Sequence, residues 1–385
     1  MLYKIRRSLL VVFGIACFFH SSIQAQTSVK LTYSSSQYAG IEVGSKGVKL
    51  SIVDIAKNTK TNSAFTIVKD TSVNTDFISF TPSSSEATLN GLLNLYDVAI
   101  EKYHIPSNNI YTVISSGVKV QAEKEEKNEM VNKLVASFKE KINDDKRKVE
   151  VIDAKEEARL SHLGIVPDSK RFTTFLVDIG SGNTKGGYFP SGNTTDFKLF
   201  QLTWGTKSVA NATEKRMDES DKTLANYTKQ LQRVLSITEN SEIIYAVNSS
   251  GAYQLSDNIA FSGGIAWSVA TLLHPELYDR SIVPVTFDEV KEFNDRLYTS
   301  FNSFMPELLI RKLKDSDPLK QSATKEIKRV LQVFDQKSLM AGTGLLVKMM
   351  RQFASVYETK QFYLVKNGQV GWISAYVDQN TTPSK

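Results

Sequence analysis

Cysteine is almost missing from the 385 residues: Cys17 is the only one, and it lies in an apolar run near the start. A chain cut downstream of that run has no thiol and forms no disulfide. Long apolar runs are scarce too. Residues 9–19 form one, which is shorter than the roughly 20 residues a spanning helix needs, and no later stretch approaches that length without charges. The mature chain is therefore expected to be soluble. A strong charge of one sign is also lacking. There are 47 Lys and Arg against 41 Asp and Glu, and 44 against 41 once Lys4, Arg6 and Arg7 are set aside. That excess of three is too mild to argue for a nucleic-acid partner. Of the four histidines, His20, His104, His162 and His274, none shows a metal-ligand spacing, and the three outside the first 25 residues read as surface or packing residues. Low-complexity tracts are absent, so disorder is expected only at the ends.

What is present begins with an address. Three cations, the short apolar run and a polar stretch ending Ile23-Gln24-Ala25-Gln26 make a secretory signal peptide over residues 1–25, cut after Ala25. The expected destination is the periplasm. A competing reading takes Gly14-Ile15-Ala16-Cys17 as a lipoprotein signal with Cys17 lipidated. Gly14 stands where a larger aliphatic residue is wanted, and Phe18-Phe19 follow where polar residues would be expected. About 360 residues then remain, enough for two domains.

The chain carries an internal echo. Gly40-Ile41-Glu42-Val43-Gly44-Ser45 returns as Leu176-Val177-Asp178-Ile179-Gly180-Ser181, each an apolar strand with one acid running into a Gly-Ser turn. Extended segments follow at 48–54 and 186–189, which predicts two β-hairpins about one domain length apart. Between them, 87–103 has helical periodicity, 110–114 and 149–152 read as strands, and 123–142 reads as one amphipathic helix with Met130, Leu134 and Phe138 inward. Beyond the second hairpin come a helix at 224–235, a strand at 243–247, and a strand at 259–262 entering a helix through Gly263-Gly264. Thr286 and Glu289 form a capping-box pattern that opens a helical region reaching Ala354. A closing hairpin is expected from Phe362-Tyr363-Leu364-Val365, a Lys366-Asn367-Gly368 turn and Trp372-Ile373-Ser374-Ala375-Tyr376. Strands alternating with helices indicate an α/β fold.

Glycine-rich turns suit phosphate, because no Cβ blocks the approach and successive N–H groups form an anion-holding nest. Gly44-Ser45-Lys46-Gly47 and Gly180-Ser181-Gly182-Asn183-Thr184-Lys185 both have that character, with Gly263-Gly264 as a third glycine turn. One Gly-Ser turn is ordinary hairpin chemistry; two, each preceded by an acid, are more than that. Asp153 reads as a helix N-cap with Glu156 completing a capping box, which leaves Glu157 facing another direction from the same helix start.

These residues resemble the actin, sugar-kinase and Hsp70 superfamily, and within it the Ppx/GppA phosphatases, the exopolyphosphatase and guanosine pentaphosphatase branch. The most specific match is Val149-Glu150-Val151-Ile152-Asp153-Ala154-Lys155-Glu156-Glu157-Ala158-Arg159-Leu160, with weaker echoes at Leu202-Thr203-Trp204-Gly205, at Ser262-Gly263-Gly264 and around Gly368. The resemblance implies an α/β fold of two RNase H-like (actin-like) lobes with a cleft between them, 26–158 and 159–385, the second with a helical C-terminal part. It implies Glu157 as general base, and Glu42 and Asp178 as holders of Mg²⁺ or another divalent cation. Polyphosphate or a phosphorylated small molecule would be the partner, with a homodimer left open.

Departures from the family pattern matter as well. The first loop has Glu42 where Asp is usual; the second has Ser181 and Asn183 as intruders and Lys185 in place of glutamate; Val120 stands where the family has an arginine. A cation about 4 Å from a phosphate charge gains about 4 kcal/mol before desolvation at an effective dielectric of about 20. Lysines therefore protect affinity for a polyanion better than they protect turnover. Two functions follow, a phosphoanhydride hydrolase or a binding protein on a decayed enzyme scaffold. An ATP-binding kinase or actin-like scaffold would share the fold, and export argues against it.

Overall fold

A computed structural model of the chain describes residues 35–45, 47–56, 64–313, 318–354, 359–366 and 368–381. The expected signal peptide, Cys17 and Lys46 lie outside the described residues.

The first lobe is a five-stranded sheet with order β3-β2-β1-β4-β5. Its strands are β1 (Ser35–Val43), β2 (Gly47–Ala56), β3 (Ala64–Asn74), β4 (Ile110–Ile114) and β5 (Val149–Val151). The first three form an antiparallel meander, and β4 and β5 add in parallel beyond β1. Helices α1 (Pro82–Asp97), α2 (Ser116–Lys124) and α3 (Asn128–Lys141) follow in the gaps, and α4 (Ala154–Ile165) leads out. Ile41, Leu50, Ile52, Leu92 and Phe138 share one buried core.

The second lobe repeats the plan. Its sheet runs β10-β11-β9-β6-β7-β8, with β6 (Thr174–Ile179), β7 (Thr184–Tyr188) and β8 (Lys198–Leu202) as the meander. Strands β9 (Asn258–Ser262) and β11 (Gln361–Val365) add in parallel, and β10 (Ile282–Val285) closes the edge antiparallel. The helices are α5 (Thr206–Glu214), α6 (Leu224–Thr238), α7 (Ile244–Ser249), α8 (Ala252–Leu255), α9 (Gly264–Leu273), α10 (Phe287–Thr299), α11 (Pro306–Leu309), α12 (Pro318–Val333), α13 (Gln336–Ala354) and α14 (Gly368–Thr381). The echo in the sequence is thus the start of two copies of one topology. No described helix is long and apolar enough to cross a membrane.

Three expectations are corrected. The closing hairpin is a strand followed by a helix: β11 forms, but Trp372, Ile373, Ala375 and Tyr376 lie on α14. They are buried against Val113 and Leu160, so this helix is apolar around much of its girth, and a short apolar run of that kind has no period that separates helix from strand. The expected strand at 243–247 is helical, a π-helical turn (Glu239–Ile243) passing into α7. Glu239 anchors the turn by pairing with Lys348 and Arg351 of α13, which outweighs the β preference of the Ile-Ile-Tyr run. The single helix at 123–142 is two, α2 and α3, broken where Glu126 takes φ 56°. The Thr286 capping box forms as expected.

Helix α14 crosses α4 at close quarters. A Cβ on Gly164 would lie 2.1 Å from the carbonyl oxygen of Gly371, so only glycine fits there. Gly164→Ala must push the two helices apart, and a loss of about 1–3 kcal/mol is expected in urea unfolding. An unchanged midpoint would contradict this packing.

Candidate active site

Both hairpins place an acid and a lysine opposite each other. In β1–β2, Glu42 pairs in register with Lys49; in β6–β7, Asp178 pairs with Lys185. Directly opposed residues project from the same face of a sheet, so each hairpin carries its acid and its ammonium side by side. Lys49 Nζ lies 3.5 Å from Glu42 Oε2. Ser262, the parallel neighbour of Asp178 on β9, donates its hydroxyl to Asp178 Oδ1 at 2.8 Å.

The two turns are closed by their own backbones, with the N–H of Gly44 donating to Gly47 and that of Gly180 to Asn183. The second turn is also braced from beneath. The N–H groups of Thr206, Lys207 and Ser208, at the start of α5, donate to the carbonyls of Gly180 and Ser181. Carbonyls are thereby used up, while the N–H groups of Ser181, Gly182 and Asn183 have no protein acceptor among the described residues. Gly263 takes φ 93° as it leads β9 into α9, and a Cβ there would meet the carbonyl oxygen of Ile179 at 2.2 Å. Glycine is required at this position, and the start of α9 is brought up to the second hairpin.

Glu157 joins the lobes. Asp153 caps α4 as expected, accepting from the N–H of Glu156 at 2.8 Å. Glu156 does not fold back to complete the box; it pairs with Arg159 instead. Glu157 is 3% exposed, and its two oxygens serve different partners. Oε2 accepts from the N–H of Ser116 at the start of α2 (2.7 Å), and Oε1 lies 2.5 Å from Lys185 Nζ. Burial disfavours the charged carboxylate, but the Lys185 charge and hydrogen bond, with Ser116, outweigh it and hold Glu157 below the usual range. For Lys185, burial disfavours the ammonium, and Glu157, Asp178 and Glu42 together overcome this and push it upward. Glu42 and Asp178 are pushed up, chiefly by burial.

A cleft of about 1190 Å³ opens between the lobes. It is lined by Glu42, Gly44, Ser45, Gly47, Glu157, Asp178, Gly180, Ser181, Gly182, Asn183, Lys185, Gly263 and Gly264, so these expected residues share one site. Val120 also lines it. Thr184 does not belong to the phosphate set. It alternates with Lys185 along β7, is fully buried, and donates to the carbonyl of Trp204 at 2.8 Å. Lys185 lines the cleft with its ammonium already paired with Glu157, so it is not a free cation awaiting an anion. Lys49, Ser116 and Ser262 were missed. Lys49 was legible in principle, because an acid with a lysine seven places on occurs in both hairpins.

The residues do not fit a divalent cation. Among the described residues no three Asp, Glu, His or Cys side chains gather as a metal-binding group. Glu42 and Asp178 already have a cation or a hydroxyl at hand, and the Lys185 ammonium feels all three carboxylates.

No family model matches the sequence, and no curated protein matches it. Solved structures do. An Aquifex aeolicus member of the Ppx/GppA family aligns at TM-score 0.59 and 16% identity, covering 90% of this chain and 100% of its own. The fold is that of the Ppx/GppA phosphatases. A type II variant of the Aquifex Ppx/GppA phosphatase aligns at TM-score 0.57 and 17% identity over 90% of this chain and 99% of its own. An exopolyphosphatase from Cytophaga hutchinsonii aligns at 0.54 and 14%, over 89% and 98%. At these identities the Ppx/GppA likeness is one of fold.

Further along α4, His162 is buried against Phe189 and Phe197, and its Nε2–H donates to the carbonyl of Thr174 at 2.9 Å. Burial pushes it down to about 4 from 6.5. Its folded value lies below its unfolded one, so it contributes stability that is complete above about 6.5 and is lost as pH falls toward about 4. The slope is about 1.4 kcal/mol per pH unit. Urea midpoints of the parent and His162→Gln from pH 7 to pH 4.5 should converge in acid. Parallel curves would contradict a buried neutral imidazole.

Proposed function

We propose that the cleft binds the end of a phosphoanhydride chain, such as polyphosphate or a related phosphorylated molecule, and hydrolyses its terminal bond. The observation that carries this reading is that both acid–lysine hairpins, Glu157, and Ser181, Gly182 and Asn183, whose N–H groups have no protein acceptor among the described residues, line one cleft. The amides and Lys49 would hold phosphoryl oxygens, and Lys185 would offset charge as it develops on the transferring group. Glu157 would take the proton from the attacking water. A carboxylate offers about four lone-pair positions and two are in use here, so water can still be accepted.

A second reading is binding without turnover. The Lys185–Glu157 pair favours it, because a base held below its usual range has less drive to take a proton. Phosphate release from long-chain polyphosphate by the purified protein separates the two: release supports hydrolysis, and saturable binding without release supports the second. Export with removal of residues 1–25 belongs to the same proposal. N-terminal sequencing of protein from its native envelope should begin at Gln26, and a retained Met1 or a lipid on Cys17 would overturn it.

A further inference from the structure

We propose that the ammonium groups of Lys49 and Lys185 stand in this cleft in place of a divalent cation, so that it takes a phosphate chain without metal. This rests on the phosphate reading above and narrows it to a metal-free site.

The argument begins with the hairpins. The same cross-strand pair, acid opposite lysine, occurs once in each lobe, Glu42 with Lys49 and Asp178 with Lys185. Together the two ammonium groups carry two positive charges, the charge of one divalent cation, on side chains rooted in paired strands. Three carboxylates, Glu42, Asp178 and Glu157, act on Lys185, so the ammonium offsets negative charge at the centre of the cleft. A dication entering among them would be repelled by both lysines, and the partners of Lys185 would have to be given up to bind it.

The two lysines divide the work. Lys185 is buried and fixed by Glu157, so it sets the local field without moving. Lys49 is 35% exposed in its side chain and only 3.5 Å from its acid, a loose contact from which the ammonium can turn to an incoming phosphate. Lysine is a mobile point charge with three donors, suited to such a transfer between anions. Its approach would be met by the N–H groups of Ser181, Gly182 and Asn183 across the cleft.

The test titrates tripolyphosphate into the protein in EDTA and in Mg²⁺, and follows Mn²⁺ alone by electron paramagnetic resonance. Affinity in EDTA should at least equal that in Mg²⁺, because free Mg²⁺ competes for the anion, and the protein alone should bind no Mn²⁺ at the cleft. Lys49→Ala should weaken tripolyphosphate by about tenfold or more. Because removing Lys185 alone strands Glu157, the second variant is Lys185→Met with Glu157→Gln, which should also bind the anion more weakly. Binding that requires Mg²⁺, Mn²⁺ held by the parent and released by Glu42→Gln, or an unchanged affinity in Lys49→Ala would each overturn this inference alone. Absence of tripolyphosphate binding in both buffers would sink the phosphate reading and this inference together.

Discussion

Glu157→Gln is expected to lower phosphate release from polyphosphate by about 10² to 10⁴ while leaving tripolyphosphate affinity nearly unchanged. The substitution keeps the shape of the side chain and removes the carboxylate proposed to accept the proton. Its structural cost is contained. One amide oxygen must now serve where two carboxylate oxygens met the Ser116 N–H and the Lys185 ammonium, so one donor loses its partner, at a cost of about 1–3 kcal/mol. Lys185 keeps Asp178 opposite it on the hairpin, so the variant should remain folded. Rates are therefore compared below the unfolding transition of both proteins. A variant that turns over like the parent would remove Glu157 from the chemistry.

Lys185→Met should be the more damaging change to stability. The ammonium is buried and compensates Glu157 directly, with Asp178 and Glu42 contributing at longer range. Taking it away leaves Glu157 a buried carboxylate whose remaining hydrogen-bond donor among the described residues is the backbone N–H of Ser116. Breaking a buried pair from one side typically costs about 3–5 kcal/mol, whereas removing both members is far milder. The unfolding free energy of Lys185→Met, measured in urea, should fall by that amount, and adding Glu157→Gln to it should recover a large part. If the single and double variants were equally stable, the pair would not be the link between α4 and β7.

Much of the fold could be read from the sequence because its signals were local. The Gly-Ser turns fixed the two hairpins, the 149–160 motif placed β5 and α4, and Gly263-Gly264 placed the β9–α9 junction. What escaped depended on contacts far along the chain. Helix α14 is helical because it fills the space between β1 and α4, and a Cβ on Gly40 would run into Ile373. The run at 243–247 is helical because Glu239 is tied to α13.

The site follows the same division. Glu42, Asp178, Glu157 and the turn glycines were recognisable as residue types in a pattern. The partner of Glu157 was not, since Ser116 lies 41 positions away and offers a backbone group that no side-chain pattern reports. Lys185 was read as a cation facing the ligand, but strand register aims it at Glu157. Thr184 was grouped with the turn by sequence adjacency, and the alternation of β7 turns it the other way.

The claim at the centre of this account is that the N–H groups of the second-lobe turn and groups of the first lobe, Lys49 among them, hold phosphate in one cleft. Backbone amide shifts followed during a tripolyphosphate titration test it most directly. The account predicts the largest changes at Ser45, Ser181, Gly182, Asn183 and Gly264, saturating together with one affinity. Shifts confined to one lobe, or concentrated on a surface away from these turns, would contradict it.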